Sequence, residues 1–442
     1  MLKRKIYDTL LKWKKTHGKE CLLVKGARQI GKTFIIDQFG RNEYSSYLYL
    51  NFLLNPEHAE IFSGSLAASE IFKAISVRFP NFRLLAGDTL LFLDEIQSCP
   101  QARTALKSLA IDGRADVVAS GSLLGINFLD NDTTRTEDRR AESIPVGYER
   151  QMLMHSLDFE EYLWANGYDE NAIGILREAF TNATPVPNAG NSKMTGLFRE
   201  YLVNGGMPEV VSQFVATGNF AVAYEVQRKI VDSNLDDIAR YAATHEKPKV
   251  RACYLSLPAQ LARENRKFKF SAVEKGGSAR KFGNSVEWLC ESSLALPCHN
   301  LIEAEMPLRV YSSTDIYKMY VSDVGLLCAM MGFEVKKTIL DNTIRGFAKG
   351  GLYENAIMAL LARRGYEPYY YMPKSNLAEV DFLIERDGAI VPIEVKAGNE
   401  ASRSFDRMLA RDDINIGYKF INGNVGRQGK KVTLPHYMAM FV

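Results

Sequence analysis

The sequence predicts an α/β protein with three regions: a parallel sheet around a phosphate-binding loop, a helical and winged-helix middle, and a mixed α/β C-terminal domain. Three observations carry this expectation. Apolar runs alternate with helix-like stretches across residues 20–125. The string "GARQIGKT" (26–33) closes one such run and opens a helix. The segment "EVDFLIERDGAIVPIEVKAG" (379–398) reads as a hairpin that sets two carboxylates against each other.

Bulk properties set the bounds. At 442 residues the chain is long enough for about three domains. Hydrophobic content of 46% and charged content of 24% describe an ordinary globular protein with ample core. A net charge of +3 points to no partner by itself. Six cysteines without a C-x-x-C pair, beside six scattered histidines, give neither a disulfide framework nor a zinc site. A reducing cytoplasm is the expected compartment, and no run reaches membrane-spanning length. The basic N-terminus lacks the apolar stretch of a signal peptide. Its Ile6, Leu10, Leu11 and Trp13 instead suit a packed amphipathic helix.

The elements follow in order. "CLLVK" (21–25), "YLYLNF" (47–52), "TLLFLDE" (89–95) and "DVVASGS" (116–122) are short apolar runs. They suit strands of a parallel sheet covered on both faces. Polar residues 130–143 have no periodicity and read as a loop. From about 150 to 245 the pattern is helical, broken by "TPVPNAGNSKMTG" (184–196), a linker candidate rich in Pro, Gly, Asn and Ser. Residues 246–310 form a basic segment, and beyond 311 the pattern returns to mixed α/β.

"GARQIGKT" fits G-x-x-x-x-G-K-[ST] between a strand and a helix expected to stop at Gly40. The backbone amides of Gly26, Ala27, Arg28, Gln29, Ile30 and Gly31, with the helix N-terminus, form an anion cradle. Lys32 can reach terminal phosphates, and the Thr33 hydroxyl can bind Mg²⁺. "LLFLDEIQ" (90–97) supplies the second element. Asp94 at that strand end can hold Mg²⁺, and Glu95 can polarise an attacking water. Ser120 or Ser122 on the next strand can sense the γ-phosphate, or form a plain strand-end turn. Arg135, Arg139, Arg140 and Arg150 are in the region where an arginine finger would be sought, but none falls in a motif.

Residues 246–285 hold ten Lys/Arg against three Glu and no Asp. Phe268, Phe270 and Phe282 are interleaved with them. "YLSLPAQLARE" followed by "SAVEKGGSARKFGNSVEWLCESSL" suggests a helix-turn-helix with a wing. Lys267, Lys269, Arg280 and Lys281 are the candidate contacts to a DNA or RNA backbone through counterion release. A solvated face, with the aromatics in the core, is the competing expectation.

Folding the hairpin at Asp387-Gly388 puts Val380, Phe382 and Ile384 on one apolar side with Val391, Ile393 and Val395. Asp381 then opposes Glu394, and Glu379 opposes Lys396. Opposed like charges destabilise a sheet unless a divalent cation lies between them. Hard oxygen ligands suit Mg²⁺ or Mn²⁺. Lys396 shares a face with Glu394 and could stabilise a pentacovalent phosphate. The bland alternative is a polar outer face with one Glu379–Lys396 pair.

The series "GARQIGKT", "LLFLDEIQ", "VVASGSLLG", "SIPVG", "LDFEEYLWANG", "YLVNGGMPEVV", "YLSLPAQLARENRKFKFSAV" and "EVDFLIE…VPIEVKAG" spans nearly the whole chain. It resembles a group of bacterial and archaeal AAA-type ATPases with a C-terminal domain of uncharacterised function. The resemblance implies an AAA+-like ATP-binding core (1–150), a helical region (151–245), a winged-helix-like basic domain (246–310) and a domain similar to PD-(D/E)XK nucleases (311–442). It implies ATP and Mg²⁺ as cofactors, with Mn²⁺ as an option at the nuclease-like site. Asp381, Glu394 and Lys396 match the D…E-x-K pattern. Glu354 on a preceding helix matches the upstream acid by order, although alone it reads as a solvated helix residue. The expected activity is an ATP-hydrolysing switch or motor whose distal half binds, and with Mg²⁺ could cleave, nucleic acid. Its rival is a nucleotide-gated regulatory protein with a non-catalytic nuclease-like platform. An ATP-driven protein remodeller ranks last, because no aromatic-Gly pore loop stands out. Oligomeric state is left open.

Overall fold

The computed structural model describes residues 2–16, 20–122, 147–373, 379–398 and 400–442. Residues 130–143, Arg135, Arg139 and Arg140 lie outside them. The chain forms two compact units, Lys3–His155 and Ser156–Val442.

The N-terminal unit is a five-stranded parallel sheet. Its strands are β1 (Cys21–Gly26), β2 (Ser46–Asn51), β3 (Thr89–Asp94), β4 (Asp116–Ser122) and β5 (Glu149–Leu153), in the order β2-β3-β4-β1-β5. Among the described residues, this unit has the α-helices α1 (Lys5–Lys15), α2 (Lys32–Glu43), α3 (Ala68–Arg78) and α4 (Pro100–Asp112). All six residues of β3 are buried, as a strand covered on both faces requires. Ile71, Phe72 and Ile75 of α3 meet Ala102, Ala105 and Leu106 of α4 in one apolar cluster with the sheet. Leu10 and Trp13 bury the apolar side of α1.

Two local expectations are corrected here. Helix α2 runs through Gly40 to Glu43. Gly40 is needed for close packing, since a Cβ there would lie 2.4 Å from the Tyr47 ring. Residues Glu149–Leu153, at the start of the stretch expected to be helical, form β5 because their backbone adds to the edge of β1.

The second unit begins with helices Phe159–Ala165, Glu170–Asn182, Asn188–Asn204, Pro208–Thr217 and Phe220–Tyr241. The expected linker at 184–196 is therefore mostly helix. Met194, Leu197, Phe198, Tyr201 and Leu202 recur at helical spacing and are buried, which outweighs the polar composition of the first turns. Asn191 is itself used in packing, accepting from the Tyr437 hydroxyl at 3.0 Å.

Helices Lys247–Leu261, Phe270–Val273 and Ala279–Glu291 follow, then the antiparallel strands β6 (Ala295–Leu301) and β7 (Ser312–Val321). Three further helices, Val324–Met331, Phe333–Leu340 and Gly346–Arg363, precede β8 (Tyr369–Tyr371), β9 (Val380–Arg386) and β10 (Ala389–Val395). Helix Arg403–Leu409 leads to β11 (Gly417–Ile421), β12 (Gly426–Gln428) and β13 (Lys431–Pro435). All eight strands form one mixed sheet in the order β12-β13-β11-β10-β9-β8-β6-β7. This sheet joins strands from both sides of residue 310, where the sequence suggested a division.

Candidate functional site

The loop after β1 has the geometry of an anion cradle. Gln29 (φ 62°) and Gly31 (φ 87°) take left-handed conformations, which turn the chain sharply into α2. Gly26 allows the loop to pass Met154, whose carbonyl oxygen would lie 2.4 Å from a Cβ. A residue that sequence reasoning missed also braces this loop. Arg4 donates to Ile30 O at 3.1 Å and to His155 O at 2.6 Å, a long-range contact with no local signature.

Lys32 is buried and donates to Gly26 O at 3.0 Å and Ala27 O at 2.7 Å. Burial, the larger influence, lowers it to about 8, against the opposing pull of Glu95 and Asp94. Asp94 is the hub of the site. Its Oδ2 accepts from the Thr33 hydroxyl at 3.0 Å, the Tyr49 hydroxyl at 2.9 Å and the Asn51 amide at 2.9 Å. Its Oδ1 accepts from the Ser120 hydroxyl and from the Glu95 amide at 3.1 Å. Tyr49 and Asn51 come from β2, whose last residue pairs with Asp94 in register. Glu95 takes a left-handed conformation (φ 54°) and accepts from the Gln97 side chain. A non-glycine residue held there costs of order 1–3 kcal/mol, and such outliers gather at active sites. Ser122 is buried at the end of β4, and Arg150 is exposed on β5. The Thr33 hydroxyl touching the Asp94 carboxylate beneath a row of loop amides is a donor set that fits Mg²⁺ and a polyphosphate.

Residues 18–163 match the family described as an AAA domain. The match covers most of the N-terminal unit, which is thus similar to an AAA domain. Residues 195–337 and 349–434 match two domains of unknown function, DUF8612 and DUF4143. No curated protein sequence matches the chain. Among solved structures, the Walker-type ATPase paby2304 of Pyrococcus abyssi aligns at 13% identity and TM-score 0.43, over 75% of this chain and 96% of that one. PCH-2 of C. elegans aligns at 12% identity and TM-score 0.26, over 48% of this chain and 60% of that one. A third is the signal transduction ATPase PH0952 of Pyrococcus horikoshii, a STAND protein with a tetratricopeptide repeat sensor. It aligns at 11% identity and TM-score 0.27, over 81% of this chain and 48% of that one. The chain thus spans less than two thirds of the last two proteins.

Outside the AAA-type domain, the hairpin forms in the expected register. Val391 pairs with Ile384 and Ile393 with Phe382, and Asp387 and Gly388 (φ 52° and 76°) make the turn. Both faces of it are covered, which excludes the alternative of a polar outer face. Glu354 is also buried, contrary to its reading as a solvated helix residue. Its Oε2 accepts from Arg266 Nη1 at 2.5 Å, and its Oε1 accepts from Lys318 Nζ at 2.9 Å and from the Tyr320 hydroxyl. The Glu379–Lys396 pair of that alternative is replaced by two others. Lys318 binds Glu379 at 2.7 Å, and Lys396 binds Glu394 Oε1 at 2.6 Å. Ser402 also donates to Glu394 Oε1, at 2.5 Å. Asp381 Oδ2 accepts from the Val395 amide at 2.8 Å.

Burial opposes the charge on Lys318, yet Glu354, Glu379 and Asp381 hold it above the ordinary lysine value. Asp381 also shifts upward, but for a carboxyl that favours the neutral form. Burial, then Glu394 and Glu354, push its carboxyl well above the usual range. Among the described residues, nothing donates to buried Glu394 Oε2, the one feature that invites a cation. The rest of the set does not fit a divalent site, because both Glu354 oxygens are already taken by cations and a phenol. No group of three His, Cys, Asp or Glu among the described residues has metal-holding geometry. Sequence reasoning brought Glu354, Asp381, Glu394 and Lys396 together. It missed Lys318, Tyr320 and Arg266, which carry no motif.

The four basic-segment candidates spread over the loop and the helix that follows. Lys269, Arg280 and Lys281 are exposed and Lys267 is half-buried. Lys281 pairs with Glu274 at 2.7 Å. Phe268, Phe270 and Phe282 pack on one another and on Tyr317, with centroid distances of 5.4–6.4 Å, so these aromatics are structural. Among the described residues, no helix is long and apolar enough to cross a membrane.

Proposed function

We propose that this protein is an ATP-hydrolysing switch whose distal half contacts a nucleic-acid backbone. The observation that supports it most is the convergence of Thr33, Tyr49, Asn51 and Ser120 on Asp94 beside the P-loop. Loop amides 26–31 and the α2 N-terminus grip the phosphates. Lys32 exchanges the carbonyls of Gly26 and Ala27 for terminal phosphate oxygens. Thr33 and Asp94 hold Mg²⁺, which when bound neutralises charge on the β- and γ-phosphates. Glu95 orients water, and Ser120 responds to the γ-phosphate through Asp94. Lys267, Lys269, Arg280 and Lys281 supply the cations for the nucleic acid. Cleavage by the carboxylate cluster is not part of this reading, because Glu354 is already engaged.

ATP turnover measured with and without DNA or RNA tests both halves. Lys32→Ala is expected to lower turnover about a hundredfold or more; unchanged turnover would refute the cradle. Nucleic-acid affinity should fall with salt, and its slope should shrink by about 1 for each phosphate-bound cation neutralised among the four. A slope insensitive to all four neutralisations would instead favour a nucleotide-gated protein that binds another protein. The Lys281–Glu274 pair and the packed phenylalanines favour that second reading.

A further inference from the structure

We propose that Lys318 and Arg266 are the resident counter-cations of the Glu354–Asp381–Glu394 cluster, so that the C-terminal sheet holds a metal-independent charged core in place of a divalent-cation site. The proposal stands apart from the nucleotide reading, because the AAA-type unit contributes none of these residues.

The first observation is how fully Lys318 is used. Its side chain is 1% exposed. The ammonium contacts Glu354 at 2.9 Å and Glu379 at 2.7 Å, and lies 4.9 Å over the Tyr370 ring. Two carboxylates and an aromatic face match the needs of an ammonium with three N–H donors. A buried charge paired in this way does not leave its site cheaply, since removing one partner strands the other. Lys318 therefore fills the place between Glu354 and Glu379, and a divalent ion could join those two carboxylates only by displacing it.

The second observation is that the chain is shaped to deliver Arg266. Phe268 N donates to Tyr317 O at 2.8 Å, and Lys267 forms a bridge with Lys318, so this segment lies along the edge of β7. Gly350 and Gly351, one turn before Glu354, let it approach. A Cβ on Gly350 would lie 2.5 Å from Arg266 Nη2, and one on Gly351 would lie 2.1 Å from Leu261 O. Two glycines inside a helix cost stability, and here Gly350 makes room for the guanidinium against Glu354 and Gly351 for the Leu261 backbone that leads to it. Arg266, Lys318 and Lys396 together set three positive charges against Glu354, Glu379, Asp381 and Glu394. A divalent ion would have to displace one of these cations to reach Glu354.

The experiment uses the full chain with Thr33→Ala, which silences the N-terminal magnesium site. Mn²⁺ uptake is followed by electron paramagnetic resonance and melting by calorimetry, with KCl of equal ionic strength as the control. The expected result is no Mn²⁺ bound at millimolar concentration and no Mn²⁺-specific shift in Tm. Adding Lys318→Met should lower Tm by about 5 °C or more, and Mn²⁺ but not KCl should restore part of the loss. If that variant does not fold, Arg266→Gln takes its place with the same expectation. Stoichiometric Mn²⁺ binding that Asp381→Asn abolishes would overturn the proposal. So would a folded Lys318→Met or Arg266→Gln variant that melts with its parent.

Discussion

At Gly351, helix propensity and packing pull in opposite directions, and their magnitudes decide the outcome. Alanine would favour the helix by about 1 kcal/mol. Its Cβ would meet the backbone oxygen of Leu261 at 2.1 Å, which only a backbone shift relieves. Overpacking of this kind costs roughly 1–3 kcal/mol, so Gly351→Ala is expected to destabilise on balance. Gly283, inside helix Ala279–Glu291, has open space around it, with nothing within 4 Å of where an alanine methyl would sit. Gly283→Ala should therefore stabilise by about 0.5–1 kcal/mol. Urea midpoints of the two variants check both signs. The same scale shows what the sequence could reveal. Lys32 and Thr33 stood out because they lie in a strand–loop–helix string of fixed spacing, and Asp94 because it closes an apolar run, although Thr33 meets it across 61 residues. Lys318 and Arg266, which reach Glu354 across 36 and 88 residues, lie in no such string. A lone lysine on an alternating strand carries no sign of its eventual partner.

Among the elements, the C-terminal segment carries a pH-sensitive anchor. His436 is buried, bonds Lys396 O through Nε2 at 3.0 Å, and packs 4.4 Å from the Tyr353 ring. Burial, outweighing the bond to Lys396 O, lowers it from 6.5 to about 3. The unfolded chain takes up this proton below about pH 6.5, whereas the folded chain refuses it until about pH 3. Stability from this residue is complete above the first value and is lost as pH falls through the window. The loss is roughly 1.4 kcal/mol per pH unit, or about 2 kcal/mol by about pH 5. His436→Gln can keep the bond to Lys396 O without titrating, so the slope of stability against pH should flatten by that amount. Denaturant midpoints at neutral and mildly acidic pH read the difference. The elements themselves were legible where one period dominates, as in β1 to β4 and the hairpin at Asp387-Gly388. They were obscured where tertiary packing overrides composition. Gly40 looked like a helix end and serves Tyr47 instead, while residues 188–196 looked like a linker and became helix once Met194 and Leu197 found a core.

For the whole molecule, the nucleotide reading predicts that ligand acts on one unit. A ligand that binds only the folded state stabilises it by about 2.7 kcal/mol at roughly a hundredfold excess over Kd. Calorimetry with a non-hydrolysable ATP analogue and Mg²⁺ should raise a transition belonging to Lys3–His155 and leave that of Ser156–Val442 in place. Lys32→Ala should remove the shift, and a shift that survives it would place the nucleotide elsewhere.

The continuity of the eight-stranded sheet also governs how the chain can be dissected. Scissors applied near residue 310 would keep β7 and discard β6, the strand lying between it and β8. The fragment would gain two raw, adhesive margins, one on β8 and one on the orphaned β7, and sheets with open margins recruit one another. Among the described residues, a cut between His155 and Ser156 parts no pair of strands, so any recombinant distal half should begin there.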